Sequence, residues 1–314
     1  MNADVSVTPS AHERTRLSEA RWTTRSLLAW MIDAFTRQSL DAPRLFAELL
    51  LAHVIGCDRL RLYMDPDRPA SPLERDALRA LVARALKHEP VQYLVGEAWF
   101  FSLPFKIDRR VLIPRPATET IAEHVLQHAR AAGRTREPML IADVCTGSGA
   151  IAIALAKHLP ETRVVATDVS ADALELAQEN VARHNLGTRV ELLQGDLLAP
   201  LESHPVAGRA GALHYLVSNP PYIPDDEWDA VAPNVREHEP ELALRAPPDG
   251  LTLIRPLIDR APFFLRPGGQ LLIECAASRA GLAAEIARAN PSLTNVRALD
   301  DFEGLPRVLL ADRA

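Results

Sequence analysis

Cysteine is scarce in this 314-residue chain: Cys57, Cys145 and Cys275 are scattered, form no Cys-x-x-Cys pair and leave an odd count. That excludes a disulfide framework and offers no zinc-ligand spacing, so no metal is expected. A reducing, cytoplasmic compartment is the expected one. No run of about 18 apolar residues is free of charge, so no membrane-spanning helix is expected. The opening segment MNADVSVTPSAHERTR holds no apolar core of signal-peptide length. A basic excess is also missing, since 35 Lys and Arg face 41 Asp and Glu for a net charge of −6. Such a balance argues against stable binding along a phosphate backbone. Glycine is sparse beside proline, 14 against 25, so the places where either clusters are informative. What is present is a globular composition, 47% hydrophobic and 24% charged, which excludes wholesale disorder. The length suggests two domains.

From about Leu17 to Leu94 the apolar residues of LLAWMIDAF, LFAELLLAHVIG and LERDALRALVARALKHEP recur at three- and four-residue spacings, which predicts helices. Asp41-Ala-Pro43 and Ser71-Pro72 with Glu74 read as helix starts. Between Trp99 and Pro116 the segment WFFSLPFKIDRRVLIPRP changes to short apolar runs and prolines, as in a β-hairpin followed by a stiff linker. Beyond it, strand-like MLIADVC, RVVATD, VELLQGD, HYLVSNPPY and GQLLIEC alternate with helix-like segments ending at GLAAEIARAN. That alternation predicts an α/β fold with a parallel sheet covered by helices on both faces. The expected organisation is a helical domain over 1–96, a hairpin and linker over 97–116, and a larger α/β domain over 117–314. The charge divides along the same line. Residues 1–116 hold 17 Lys and Arg against 14 Asp and Glu, a net of +3, whereas residues 117–314 hold 18 against 27, a net of −9.

Asp143-Val-Cys145-Thr146-Gly147-Ser148-Gly149 joins a strand to a helix. Its small residues let the backbone turn sharply and approach a ligand, and the helix start offers free N–H groups. Asp168 ends the next strand, where a carboxylate can accept hydrogen bonds from ribose hydroxyls. The spacing also fits a dinucleotide fingerprint, and a plain tight turn fits it too. Asp143 favours S-adenosylmethionine, because an acid at that place can face a cationic ligand but would repel a pyrophosphate.

Asn219-Pro220-Pro221-Tyr222 follows the fourth strand-like run. Two prolines fix φ near −65° and remove two N–H donors, and the residue before each is held extended. The polar groups left over are mostly acceptors. The Asn219 side-chain oxygen and the Pro220 carbonyl suit the two hydrogens of a planar NH2 group, on which Tyr222 can stack. A delocalised amine is a poor nucleophile, so holding it in line with a methyl sulfonium lowers the barrier by positioning and by charge complementarity. A proline-rich turn after a strand is the plainer alternative.

With both motifs in view, the chain resembles the HemK/PrmC family of protein-(glutamine-N5) methyltransferases. The likeness runs through AELLLAHVIGCDRLRLY, EPVQYLVGEAWFFSLPFKIDRRVLIPRPATE, DVCTGSGAIAIALA, ATDVSADALELAQENVARH, VSNPPYIP, VREHEPELAL and PDGL. It implies a seven-stranded, Rossmann-like methyltransferase domain using S-adenosylmethionine, preceded by a small helical domain that docks the protein substrate. That substrate would be the glutamine of the Gly-Gly-Gln loop of a peptide chain release factor. By position, Cys145 to Gly149 and Asp168 would line the cofactor site, Asp196 and Leu197 would lie near the adenine, and Asn219 to Tyr222 would hold the glutamine amide. Some residues depart from the family pattern. Cys145 replaces the usual glycine, as in the related enzymes for ribosomal protein L3, while the linker IPRP is that of the release-factor branch. Ala117 replaces an acid, leaving Arg115 and Glu119. Leu197 takes an often aromatic position, and IECAAS (Ile273 to Ser278) replaces a glycine-containing turn. His238, Arg236 and Glu239 of REHEP could shape a substrate groove, though surface pairing is the plainer role. Two readings of other classes stand beside the amide methyltransferase. One is a nucleic-acid adenine methyltransferase, whose flipped base presents a similar amine. The other is a non-catalytic binder on a decayed methyltransferase fold.

Overall fold

The computed structural model describes residues 22–314. The segment read as lacking a targeting core, residues 1–16, lies outside them, as do residues 17–21 of the helical stretch. The chain divides between Val95 and Gly96 into two compact units.

The first unit is helical: α1 (Thr24–Arg37), α2 (Pro43–Ile55), α3 (Arg59–Met64), α4 (Pro72–Ala85) and α5 (Val91–Val95). Helix α1 starts because the Thr23 hydroxyl accepts from Ser26 N–H in a capping box. Four-residue spacing then puts Leu27, Met31 and Phe35 on one face, where all three are buried against Leu50 and Leu51 of α2. Burial of each such side chain contributes about 1.5–3 kcal/mol. The expected start at Ser71 is a capping box as well: Ser71 Oγ accepts from Glu74 N–H at 3.2 Å and Ser71 N–H donates to Glu74 Oε2 at 2.8 Å. At the start of α2, Pro43 takes the first helical position, but the cap is Ala42 in a left-handed conformation (φ 47°) without a side-chain bond, so Asp41 does not cap.

The second unit opens with the hairpin β1 (Glu97–Phe100) and β2 (Leu103–Lys106). Both turn residues, Phe101 and Ser102, have positive φ, 50° and 61°, the twist that a two-residue hairpin turn requires. Asn180 fastens the hairpin to this unit. Its Oδ1 accepts from Lys106 N–H at 2.7 Å, and its Nδ2 donates to the carbonyls of Lys106 at 3.1 Å and Ser148 at 3.0 Å. The hairpin and linker are therefore part of the α/β unit.

There follow α6 (Glu119–Ala131), β3 (Leu140–Val144), α7 (Ala150–His158), β4 (Arg163–Asp168), α8 (Ala171–Arg183), β5 (Val190–Gln194), α9 (Ala199–Glu202), β6 (Leu213–Ser218), α10 (Asp225–Trp228), α11 (Pro233–Arg236), α12 (Ile254–Phe264), β7 (Leu265–Glu274), α13 (Ala280–Ala289), β8 (Leu293–Asp300) and β9 (Pro306–Arg313). The seven strands β3 to β9 form one sheet in the order β5-β4-β3-β6-β7-β9-β8. Strands β3 and β6 are almost wholly buried, as central parallel strands covered on both faces must be. The sheet is not all parallel as expected: β9 inserts antiparallel between β7 and β8. That pair lies beyond the last segment the alternation identified, and β8, largely exposed at the sheet edge, carries little apolar signal. Among the described residues no helix is long and apolar enough to cross a membrane.

Candidate functional site

Strand order reverses between β3 and β6, and ligands of open α/β sheets bind at the carboxyl edge beside such a reversal. One cleft lies there. It is lined by Cys145, Thr146, Gly147 and Ser148 after β3, by Asp168 at the end of β4, by Asp196 and Leu197 after β5, and by Asn219 and Pro221 after β6. Residues far apart in sequence and named as one site are thus brought to one cavity.

The turn after β3 is shaped by three positive φ values, 61° at Cys145, 53° at Gly147 and 80° at Gly149. Glycine adopts these freely, while Cys145 carries a strain of about 1–2 kcal/mol. Burial pushes the Cys145 thiol up, so it stands as a protonated side chain rather than a thiolate nucleophile. Asp168 locks the turn to β4: Oδ2 accepts from Gly147 N–H at 2.8 Å and Oδ1 from Ser170 N–H at 2.9 Å. Burial lifts its pKa against the pull of these bonds. Leu197 is held in a left-handed conformation (φ 45°), its carbonyl accepting from Thr167 Oγ1 at 3.1 Å.

Four residues assigned to the site stand outside the cleft lining. Asp143 is fully buried in the central strand, where Oδ2 accepts from Thr146 Oγ1 at 2.7 Å and Ala152 N–H at 3.1 Å. Its Oδ1 has no hydrogen-bond partner. Burial pushes this carboxyl up to about 7, outweighing the two bonds it accepts. Gly149 caps α7, and a Cβ there would stand 3.2 Å from Ile153 Cδ1, so it serves close packing. Pro220 is buried. Tyr222 turns its hydroxyl inward to Glu274 Oε1 at 3.0 Å and packs its ring against the apolar core under the sheet, because β7 offers a buried acceptor there.

The sequence reading missed several residues that the fold brings in. Thr118, in the turn before α6, lines the cleft, and its Oγ1 accepts from Asn219 Nδ2 at 3.1 Å. That leaves the Asn219 carbonyl oxygen as its outward group. Arg110, Val111, Leu112 and Pro114 of the linker and Leu242 form a further wall. Of the REHEP residues, Glu239 is buried, and it pairs with Arg115 and accepts from Ile113 N–H at 3.1 Å, pinning the IPRP linker. His238 faces Arg109 instead. Glu119 accepts from Phe101 N–H at 2.6 Å and braces the hairpin. A lone acid closing the apolar strand LLIE, at Glu274, was the one local signal available. Among the described residues no group of His, Cys, Asp or Glu could hold a metal ion.

Comparison with known proteins gives two family matches. The PrmC N-terminal domain matches residues 26–96, and the methyltransferase small domain matches residues 117–287. A release factor glutamine methyltransferase of Chlorobaculum tepidum is 42% identical over 292 residues, covering 93% of this chain and 97% of that one. The Rhodopirellula baltica protein of the same name is 38% identical, covering 95% and 98%. A solved protein-(glutamine-N5) methyltransferase (release factor-specific) from Alicyclobacillus acidocaldarius is 27% identical with a TM-score of 0.38, covering 67% of this chain and 99% of that chain.

Proposed function

The chain belongs to the release factor glutamine methyltransferases, and from that premise we propose that it moves a methyl group from S-adenosylmethionine to the side-chain amide nitrogen (N5) of a release-factor glutamine in the cytoplasm. The observation that carries this reading is the acceptor edge at Asn219. Its NH2 is engaged by Thr118 and the next two residues have no N–H, so the group offered to a ligand is a carbonyl oxygen. An amide NH2 is the complementary partner.

The cofactor fits the residues present. Asp168 and Asp196 line the cleft, and Asp143, buried beneath the turn with its Oδ1 unpartnered, adds negative charge behind it. Cys145 to Ser148 would bracket the ligand's chain, Asp168 its ribose, and Asp196 with Leu197 its base. When bound, S-adenosylmethionine supplies an electrophilic methyl on a sulfonium. Everything else is done by the chain. Asn219 and the Pro220 carbonyl hold both amide hydrogens, orient the nitrogen lone pair, and stabilise the positive charge that grows on nitrogen. No general base is required before transfer, because the proton leaves a nitrogen that has become strongly acidic.

The test supplies labelled S-adenosylmethionine with purified release factor, ribosomal protein L3 and DNA in parallel. Label on the Gly-Gly-Gln glutamine is expected; label on DNA alone overturns the reading. A second expectation concerns pH. Because burial holds Asp143 at about 7 in the free protein, binding a cation must expel its proton. Affinity therefore rises with pH from about 5.5 to 7, by up to about tenfold per unit, and levels off above. Calorimetry on Asp143→Asn is expected to give a flat profile; an unchanged slope would remove Asp143 from cofactor binding.

A further inference from the structure

The linker between β2 and α6 gives the cleft one of its walls, through Arg110, Val111, Leu112 and Pro114. Asp168, Ser170 and Ala173, where β4 passes into α8, line the same cleft. The linker is fastened at two points, and the fastenings differ in kind. Toward α6, Ile113 N–H donates to Glu239 Oε2 at 3.1 Å and Arg115 pairs with the same carboxylate, whose side chain is 0% exposed. Toward β2, Arg110 reaches across to α8. Its Nη2 lies 3.1 Å from Glu179 Oε1 and its Nη1 3.6 Å from Glu175 Oε2, two acids four residues apart on one face of the helix. Their side chains are 41% and 72% exposed.

Arg110 meets α8 already oriented. Nε donates to Asp108 Oδ1 at 2.9 Å and Nη2 to Asp108 Oδ2 at 2.7 Å, a bidentate pair within the linker, and Arg110 N–H donates to Oδ1 at 3.0 Å. A guanidinium held in this way loses less freedom when it pairs with the helix. The Asp108 pair moves with the linker, so lifting this end breaks only the bonds to Glu175 and Glu179. Exposed pairs of that kind are each worth about 1.4- to 5-fold in an equilibrium constant. Parting Arg115 from the buried Glu239 would instead strand a charge out of water, which is far more costly. Val111, beside Arg110, is buried, so the closed linker is the resting state. The Glu239 end therefore holds and the Arg110 end is the one that can release.

We propose that Arg110 is a cofactor-retaining residue: by tying the linker to Glu175 and Glu179 it keeps this wall of the cleft closed, and S-adenosylmethionine and its demethylated product leave when that end lifts. This rests on the reading of the cleft as the S-adenosylmethionine site.

Stopped-flow binding to the full chain tests it, with S-adenosylmethionine and with S-adenosylhomocysteine, which lacks the sulfonium charge. Arg110→Gln is expected to raise both dissociation rates about 3–20-fold and to leave association within about threefold. Wild-type dissociation is expected to quicken several-fold between about 0.05 and 0.5 M salt, because exposed pairs are screened, and Arg110→Gln to respond no further. Arg110→Lys, which keeps the charge without the fork, restores part of the salt response. Glu175→Gln with Glu179→Gln is expected to reproduce Arg110→Gln, and adding Arg110→Gln to that pair to cost less than about twofold more. Lys106→Gln also takes a partner from Glu179 but lies off the cleft wall, and dissociation within about twofold of wild type is expected. Unchanged dissociation in Arg110→Gln or in the double glutamine variant overturns the proposal, since Arg110 would then be idle or would act without α8. A Lys106→Gln effect as large as that of Arg110→Gln overturns it as well. Hydrogen exchange on the unliganded chain needs no cofactor: amides 110–112 are expected to exchange faster in Arg110→Gln while Ile113 N–H stays protected. Equal exchange overturns the fastening whatever the cleft binds, whereas a wild-type chain that binds neither compound counts against the cofactor reading alone.

Discussion

Replacing Asn219 by alanine is expected to lower turnover by about 10²–10³-fold, the loss that follows removal of one preorganised group facing developing charge. Three consequences of the truncation act together. The substrate amide loses an acceptor, the Thr118 hydroxyl loses its partner, and the nitrogen is no longer held against rotation about its own side chain. None of them reaches the turn at Gly147 or its lock on Asp168, which lie on other strands. Cofactor affinity should therefore stay within about threefold, because the lost contacts belong to the transition state. Single-turnover rates at saturating cofactor, paired with calorimetry, separate the two. Turnover within tenfold of wild type would mean that the acceptor edge does not hold the reacting amide. A comparable loss in cofactor affinity would mean that Asn219 is chiefly part of the cofactor wall.

Why Asn219 could be found from sequence, and Thr118 and Glu274 could not, has a physical explanation. Two adjacent prolines after an apolar strand constrain backbone and donors locally, so their effect is written in four consecutive residues. The glycine turn is local in the same sense, as is the capping box of Ser71 and Glu74. Asn219 meets Thr118 across 101 residues and Tyr222 meets Glu274 across 52. Such contacts exist only once strand order is known. Asp143 illustrates the other side: residue type and place suggested a ligand-facing acid, but a central strand covered on both faces leaves it fully buried, with its influence passing through Thr146 and Ala152. Tyr222 likewise looked like a stacking surface, and a buried acceptor one strand away claims its hydroxyl. The antiparallel β9 was missed because RVLLADR lies after the alternation had ended and its partner β8 is an exposed edge. Local chemistry is legible in a sequence, whereas pairing across the sheet edge must be seen.

Gly250 gives the second large effect, again through a contact that spacing does not reveal. In sequence it is the glycine of PDGL, an ordinary turn residue. In the fold its φ is +77°, and a Cβ placed there would stand 2.5 Å from the Tyr222 carbonyl oxygen. That oxygen belongs to backbone held from both sides. Tyr222 and Ile223 N–H both donate to the Leu244 carbonyl, at 3.1 and 2.9 Å, Ala246 N–H returns to Ile223, and Gly250 N–H donates to Ala246 at 2.8 Å. The clash cannot be absorbed by rotating a side chain, so either the turn opens or the segment after Pro221 moves. Left-handed strain of about 1–2 kcal/mol adds to that displacement. Gly250→Ala is therefore expected to destabilise the protein by about 3 kcal/mol, to lower Tm by roughly 6–12 °C, and to reduce turnover in the surviving folded fraction at least about tenfold. Gly133→Ala is the matched control: its φ is +72° but nothing lies within 4 Å of the added Cβ. It carries the strain without the clash, and a cost near 1 kcal/mol with unchanged turnover is expected. Equal melting temperatures for the two variants would mean that the Tyr222 backbone yields freely. The bracing of the Asn219–Tyr222 tetrapeptide by residues 244–250 would then have to be abandoned.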